Sequence, residues 1–427
     1  MMSGMSWMTL PRIACVSVLA FSALVSPGCA KKKPPESTKV DFYQELPPGQ
    51  LALRKISPSE YPAFSLAQAN REDLTKSIDN SLLYLSRASS KSFYPYLDIT
   101  HDRAVASLVA MREMVTNASQ GIPDADFAQL LASKFEVYQS IGAPRPDGMG
   151  YTNTVLFTAY CTPIYDASLT RTAEYQYPLY KRPADLQSDE ITGQVFGRRT
   201  AEGTLVPFYT RKEIEEGGVL AGTEIVWLKS RWDAYIITIQ GSARLRLPDG
   251  KTFEIGYAGA NGRDYSSPGR KLLADGKITK DQLNLRGLAA YFNANPQDLG
   301  PYTTLNERYV FFTETTGGPF GSLNVPVTAF ATIATDKAVY PRAMPAFLVT
   351  PMAGNNNTKA PYRGFMLDQD AGGAIRAAGR TDIYMGIGPA AEVQSGNQLD
   401  EGQLYYIAVK PEFVQQYLVK GNVGEDH

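Results

Sequence analysis

Three aspartates, Asp368, Asp370 and Asp382, stand in a stretch from Met366 to Gly388 that also carries glycines at 372, 373, 379, 386 and 388. Carboxyl groups in such a setting can hold, deliver and take back protons. Histidine cannot do that work here. The chain has only two, His101 and His427, which excludes a His-dependent nucleophile triad and a multi-histidine metal site. The glycines permit positive φ and close approach of backbone or ligand, so the aspartates are expected on turns beside short strands. A structural alternative stands beside the chemical one, because aspartates next to glycines commonly cap turns by accepting from nearby amides. A calcium site built on aspartates alone does not fit the spacing of an EF-hand loop.

The elements that must position these carboxyls fall into two textures. From Leu51 to about Phe135 the apolar period is helical. Asn70 caps a helix with Leu74, Ile78, Leu82 and Leu85 inward; a second runs from about Asp102 to Val115; a third starts at Pro123 and carries Phe127, Leu130, Leu131 and Phe135. His101, at a helix start, is expected at the surface. After Tyr151 the chain turns aromatic, β-branched and proline-rich, which predicts β structure. Tyr235-Ile-Ile-Thr-Ile reads as a buried strand, and Ala243 to Tyr257 as a hairpin turning at Pro248-Asp-Gly250. Residues 265 to 295 read as short helices. Beyond Asn306, Tyr309 to Thr313, Val325 to Ala331, Ala346 to Thr350, Gly364 to Leu367 and Tyr405 to Val409 read as strands of one compact barrel. With 427 residues, 44% of them hydrophobic, the chain can bury a sizeable core, and a net charge of -1 gives no electrostatic reason to expect nucleic acid.

Asp370-Ala-Gly-Gly-Ala-Ile, followed twelve residues after Asp370 by Asp382-Ile-Tyr-Met-Gly-Ile-Gly, resembles the three-aspartate signature of the membrane-bound lytic murein transglycosylases of the A type. Phe157-Thr-Ala-Tyr-Cys-Thr-Pro163, Tyr177-Pro-Leu-Tyr180, Ile239-Gln-Gly-Ser242, Gly256-Tyr-Ala-Gly-Ala-Asn-Gly262 and Tyr309-Val-Phe-Phe312 recur in that family's order, so the resemblance covers most of residues 150 to 410. It implies a mainly β fold with N-terminal helices (α+β): a double-psi β-barrel of the barwin and endoglucanase type with a second, smaller β domain inserted, glycan lying in the groove between them. The implied boundaries are 51–165 for the N-terminal helices and first part of the barrel, 166–305 for the insertion, 306–415 for the rest of the barrel and 416–427 for a tail.

The resemblance also implies a reaction. A glycosidic bond breaks when a carboxylic acid protonates the leaving oxygen, and hydrolases add a second carboxylate about 5 to 9.5 Å away to serve as nucleophile or to activate water. Lytic transglycosylases use the muramyl 6-hydroxyl instead and leave a 1,6-anhydro end. One carboxyl then serves as acid and afterwards as base. Asp382 matches the family's catalytic aspartate; Asp370 matches a second recurring aspartate, expected to tune the acid or to hold its loop. Asp368 is expected to be solvated or to cap a loop. Thr158, Tyr160, Gln240, Ser242 and Asn261 are candidates for gripping sugar hydroxyl and acetamido groups, with a core or backbone-bonding role as the alternative for each. No cofactor and no metal are implied, and the expected partner is the peptidoglycan glycan strand, bound by a monomer. A hydrolase on the same barrel and a non-catalytic glycan-binding lipoprotein remain as competing readings.

At the N-terminus, Arg12, an apolar run from Ile13 to Val25 and Ser-Pro-Gly-Cys29 read as a secretion signal over residues 1–28. Gly28-Cys29 resembles a lipobox, which implies lipidation of Cys29, an outer-membrane lipoprotein facing the periplasm, and a polar tether over 29–50; ordinary signal cleavage nearby, giving a soluble periplasmic protein, is the alternative. Cys161 then remains without a disulfide partner and is expected as a wall residue.

Overall fold

A computed structural model describes residues 39–119, 121–189, 194–355 and 358–423. The leader, Cys29, the tether as far as Thr38 and His427 lie outside the described residues. A short edge strand, β1 (Leu53–Lys55), precedes three helices, α1 (Arg71–Leu85), α2 (His101–Asn117) and α3 (Asp124–Lys134). Local chemistry starts the first two. The Asn70 side chain accepts from the Asp73 amide, and Thr100 accepts from that of Arg103. Leu74, Ile78 and Leu85 are buried as their period predicts, whereas Leu130 is exposed and Phe135 already belongs to the next strand. His101 is not a surface residue: its Nε2 lies 2.9 Å from Ser90 Oγ, and the ring sits edge-on to Tyr94.

The chain continues with β2 (Phe135–Ser140), which with β1 extends the sheet outside the closed ring beside the last strand of the chain, and with β3 (Val155–Thr162), the first strand of the barrel. The chain then leaves it for a second region: β4 (Ile164–Ser168), β5 (Tyr177–Tyr180), β6 (Leu186–Ser188), β7 (Val195–Arg199), β8 (Leu205–Val206), α4 (Arg211–Gly217) and β9 (Glu224–Leu228). It continues through α5 (Arg231–Gln240), the hairpin β10 (Ala243–Arg246) and β11 (Thr252–Ala260), then α6 (Pro268–Ala274), α7 (Leu285–Ala294), α8 (Pro296–Thr303) and β12 (Val310–Glu314). Two expectations fail here. Tyr235 to Ile239 lie in α5, not in a strand. Ser230 accepts from the amides of Trp232 and Asp233, and Gly241 at φ 78° ends the helix, so caps at both ends outweigh the β preference of three isoleucines. Likewise β12 pairs with β11 in a six-stranded sheet of this second region and is not a barrel strand.

The return to the barrel supplies β13 (Thr332–Ala334), β14 (Pro345–Ala353), β15 (Lys359–Asp370) and β16 (Arg380–Ile387), then α9 (Pro389–Asn397), β17 (Asp400–Val409) and α10 (Val414–Val423). Residues 325 to 331 are not a strand: Pro326 has no amide to give a ladder, and Phe330 takes φ 54°. In sheet order β17, β14, β15, β13, β16 and β3 are neighbours, and β3 pairs again with β17, so six strands close into a barrel. Gly402 marks the closure. There β17 passes from β14 to β3, and a Cβ would stand 2.4 Å from the Val349 carbonyl oxygen, which leaves room only for glycine.

Candidate active site

The three aspartates sit on strands, not on turns, and the glycine-rich residues 371–379 are the connection between β15 and β16. Strand alternation sorts their surroundings. Gln369 faces the helices, accepting from Ser77 Oγ at 2.8 Å and donating to Ser81 Oγ at 2.9 Å, which fixes β15 against α1. Asp368 and Asp370 point the other way. Asp368 is neither solvated nor a loop cap: it is fully buried, accepts from Thr335 Oγ1 and Tyr406 Oη at 2.7 Å each, and pairs with the buried Lys337 ammonium. Thr335 in turn donates its amide to the Asp370 carbonyl at 3.1 Å. The buried pair therefore braces the backbone that carries Asp370.

Asp370 and Asp382 are brought level by register. Ala334 lies opposite Asp370 on one side and Asp382 on the other, and Asp382 lies opposite Thr158, so the two carboxylates belong to one cross-sheet row two strand spacings, roughly 10 Å, apart at Cα. Strand β3 supplies their hydroxyl partners at period two. Val155, Phe157 and Cys161 are buried, while Thr158 and Tyr160 occupy the opposite face. Thr158 donates to Asp382 Oδ1 and accepts from Arg380 Nη2 at 2.9 Å; Tyr160 donates to Asp370 Oδ2 at 2.7 Å. The other Asp370 oxygen accepts from the amides of Ser322 and Ala371, both at 2.7 Å.

Both carboxyls are half-open at the surface yet deep enough for burial to control their proton affinity. Burial raises Asp382 above its ordinary value, against the pull of the Arg380 guanidinium and the Thr158 hydroxyl, and the Asp370 charge adds to the rise. Burial also raises Asp370, opposed by Tyr160 and the two amides. The two differ in what surrounds them. Asp370 has three hydrogen-bond donors opposing that rise, whereas Asp382 has one hydroxyl and a nearby arginine. The Asp382 carboxyl thus accepts from fewer donors than that of Asp370.

The remaining candidates divide. Ser242 is buried and 3.2 Å from Thr162 Oγ1, which also lies 3.0 Å from Tyr384 Oη, so it continues the hydroxyl face of β3. Gln240, at the end of α5, accepts from the Cys161 amide at 3.1 Å and ties the second region to β3. Asn261 has no atom left for a sugar: its Nδ2 donates to the carbonyls of Tyr209 and Glu307, its Oδ1 accepts from Tyr309 and Arg263, and it is 1% exposed. Cys161 is buried, and burial pushes its thiol up to about 12, which leaves no thiolate for nucleophilic chemistry. Sequence reasoning passed over Arg380. Read as a strand, Arg380-Thr-Asp382 places the guanidinium two residues from the acid on one face; read as a turn, it hides that relation.

A family model described as the MltA specific insert domain matches residues 156–313, and one described as the 3D domain matches 331–408. The chain is similar to the membrane-bound lytic murein transglycosylase A of Escherichia coli (strain K12), 28% identical over 277 residues that span 64% of this chain and 70% of the relative. A crystal structure of a membrane-bound lytic murein transglycosylase from Agrobacterium tumefaciens superposes with a TM-score of 0.69 at 25% identity, covering 86% of this chain and 99% of that one. The E. coli MltA structure with bound chitohexaose shares the fold, with a TM-score of 0.65 at 23% identity over 89% and 100% of the two chains.

Proposed function

The chain belongs to the MltA family of lytic murein transglycosylases, and on that premise we propose that it cleaves the β-1,4 bond between N-acetylmuramic acid and N-acetylglucosamine without water, Asp382 acting first as acid and then as base. The protonated Asp382 carboxyl gives its proton to the glycosidic oxygen as the bond from that oxygen to the muramyl anomeric carbon breaks. The resulting carboxylate takes the proton of the muramyl 6-hydroxyl as that oxygen bonds to the same carbon. A 1,6-anhydro end forms, and the acid is restored. The observation that carries this reading is the contrast between the two carboxyls: burial raises both, but only Asp382 lacks a full set of donors holding it ionised. After the first transfer, Arg380 and Thr158 stabilise the new carboxylate without removing its basicity. Asp370 serves by its charge, which favours the protonated form of Asp382.

In this reading Thr158 and Tyr160 on β3, with Ser242 beside them, line the sugar-facing side, and the inserted region forms the facing wall. The relatives are named membrane-bound. We place this chain with them, as an outer-membrane lipoprotein anchored at Cys29 and facing the periplasm; a mature N-terminus with the mass of an acylated Cys29 tests that placement. The test of function is mass spectrometry of the muropeptides released from purified sacculi by the wild type and by Asp382→Asn. Anhydro-muropeptides from the wild type and their loss in the variant, by ~10² to 10⁴-fold, are expected. Reducing muramic acid ends would overturn the non-hydrolytic reading.

A further inference from the structure

The segment ahead of the first strand reaches the residues next to the proposed acid. Asp41 to Gln44 form a turn, in which the Asp41 side chain accepts from the Tyr43 amide at 2.9 Å, and this turn lies against the residues that lead into β16. The contact is close: a Cβ on Gly379 would stand 2.8 Å from the Phe42 carbonyl oxygen, so only glycine lets the segment pass. Tyr43 then meets two arginines. Arg380 Nη1 donates to its hydroxyl at 2.8 Å, and the Arg380 guanidinium carbon lies 4.5 Å from the ring centroid. The guanidinium carbon of Arg270, on α6, lies 3.8 Å from the same centroid. One aromatic ring thus joins an arginine of the barrel to an arginine of the second region.

We propose that Tyr43 is a positioning residue for Asp382: it fixes the Arg380 guanidinium, which through Thr158 fixes the carboxyl. The path is continuous, from the Tyr43 hydroxyl to Arg380 Nη1, from Arg380 Nη2 to Thr158 Oγ1 at 2.9 Å, and from Thr158 to Asp382 Oδ1. Arg380 has two tasks on this path, to orient the Thr158 hydroxyl and to place a positive charge beside the acid. Both depend on where its guanidinium is held, and Tyr43 bonds the terminal nitrogen that Thr158 does not. The charged and titratable groups that face the pair are few. Asp382 meets Arg380 on its own strand, Tyr160 on β3 and Asp370 at the end of β15; Arg380 meets Tyr43, with Arg270 and Tyr265 beyond the ring.

This inference rests on the acid role of Asp382, and the experiment separates the two. Full-length wild type, Tyr43→Phe, Arg380→Lys, the double variant, Arg270→Gln and Asp382→Asn are compared on purified sacculi for anhydro-muropeptide release across pH. Tyr43→Phe keeps the ring and loses the hydroxyl. Its turnover is expected to fall roughly tenfold with KM nearly unchanged, a smaller loss than the ~10²-fold that a 1 Å misplacement of a reacting group can cost. Its alkaline limb should also move to higher pH, because an arginine that drifts from Asp382 lowers the proton affinity of the acid less. In the Arg380→Lys background the same change should cost little more, since the path is already broken. Arg270→Gln should leave the pH profile in place. Unchanged turnover and pH profile in Tyr43→Phe, or losses that simply add in the double variant, overturn the inference while leaving the Asp382 reading intact. An active Asp382→Asn removes the reading itself and the inference with it.

Discussion

At the scale of single residues, the proposed acid is a compromise between function and stability. Burial raises the Asp382 carboxyl above the ordinary aspartate value of 3.8, so the folded protein binds this proton more tightly than the unfolded chain does. The stabilisation from that difference is fully present below the unfolded pKa and is lost as pH rises through the folded one. At neutral pH the ionised group is therefore a net burden on the fold, relieved in part by Arg380 and Thr158. We expect Asp382→Asn to melt at or above the wild-type temperature at pH 7, an advantage that shrinks as pH falls toward the ordinary aspartate range; thermal unfolding at several pH values measures it. Catalysis runs with the same sign. Activity of the wild type should decline as pH rises through the folded pKa, because the group that must donate has lost its proton.

At the scale of elements, the strand β15 carries both a brace and, at its end, the carboxyl of Asp370. Asp368 and Lys337 are both almost entirely buried, and the carboxylate is completed by Thr335 and Tyr406. Removing one partner of such a pair leaves a charge in a dry interior, at a cost of about 3 to 5 kcal/mol, while neutralising both costs much less. Lys337→Met should therefore destabilise strongly in chemical denaturation, and adding Asp368→Asn should recover a large part of the loss. If the double variant is as unstable as the sum of the two single changes, the pair does not act as a unit. The Thr335 amide links this brace to Asp370, so turnover should fall with Lys337→Met even where the protein remains folded.

At the scale of the whole molecule, the barrel and the second region are joined by specific bonds beside the candidate site. Gln240, at the C-terminal end of α5, accepts from the Cys161 amide of β3. Truncating it leaves that amide unpaired, worth about 1 to 3 kcal/mol for a buried donor. Gln240→Ala is expected to lower stability by an amount of that order and, if the proposed glycan site lies between the two regions, to raise KM. The pH limb set by Asp382 should stay in place. A variant with unchanged stability and KM would mean that other contacts hold the two regions together.

The sequence by itself determined the chemistry available and the family. With two histidines and three clustered aspartates, proton transfer by carboxyl groups was the option left, and motifs recurring in one order from Phe157 to Asp382 carried the resemblance. Capped, periodic helices such as Arg71–Leu85 were legible because their signals lie within a few residues of each other. Register was not. Which aspartate meets which hydroxyl depends on β3, from early in the chain, lying parallel to β16, more than two hundred residues later, and no local pattern encodes that pairing. Separation along the chain also hid the reach of Tyr43 to Arg380, and it hid the burial of Asp368, whose partners are nearer in sequence but come from β17 and the segment after β13. Only the closed barrel decides these contacts, because it brings distant strands to fixed spacings and sets which side chains share a face.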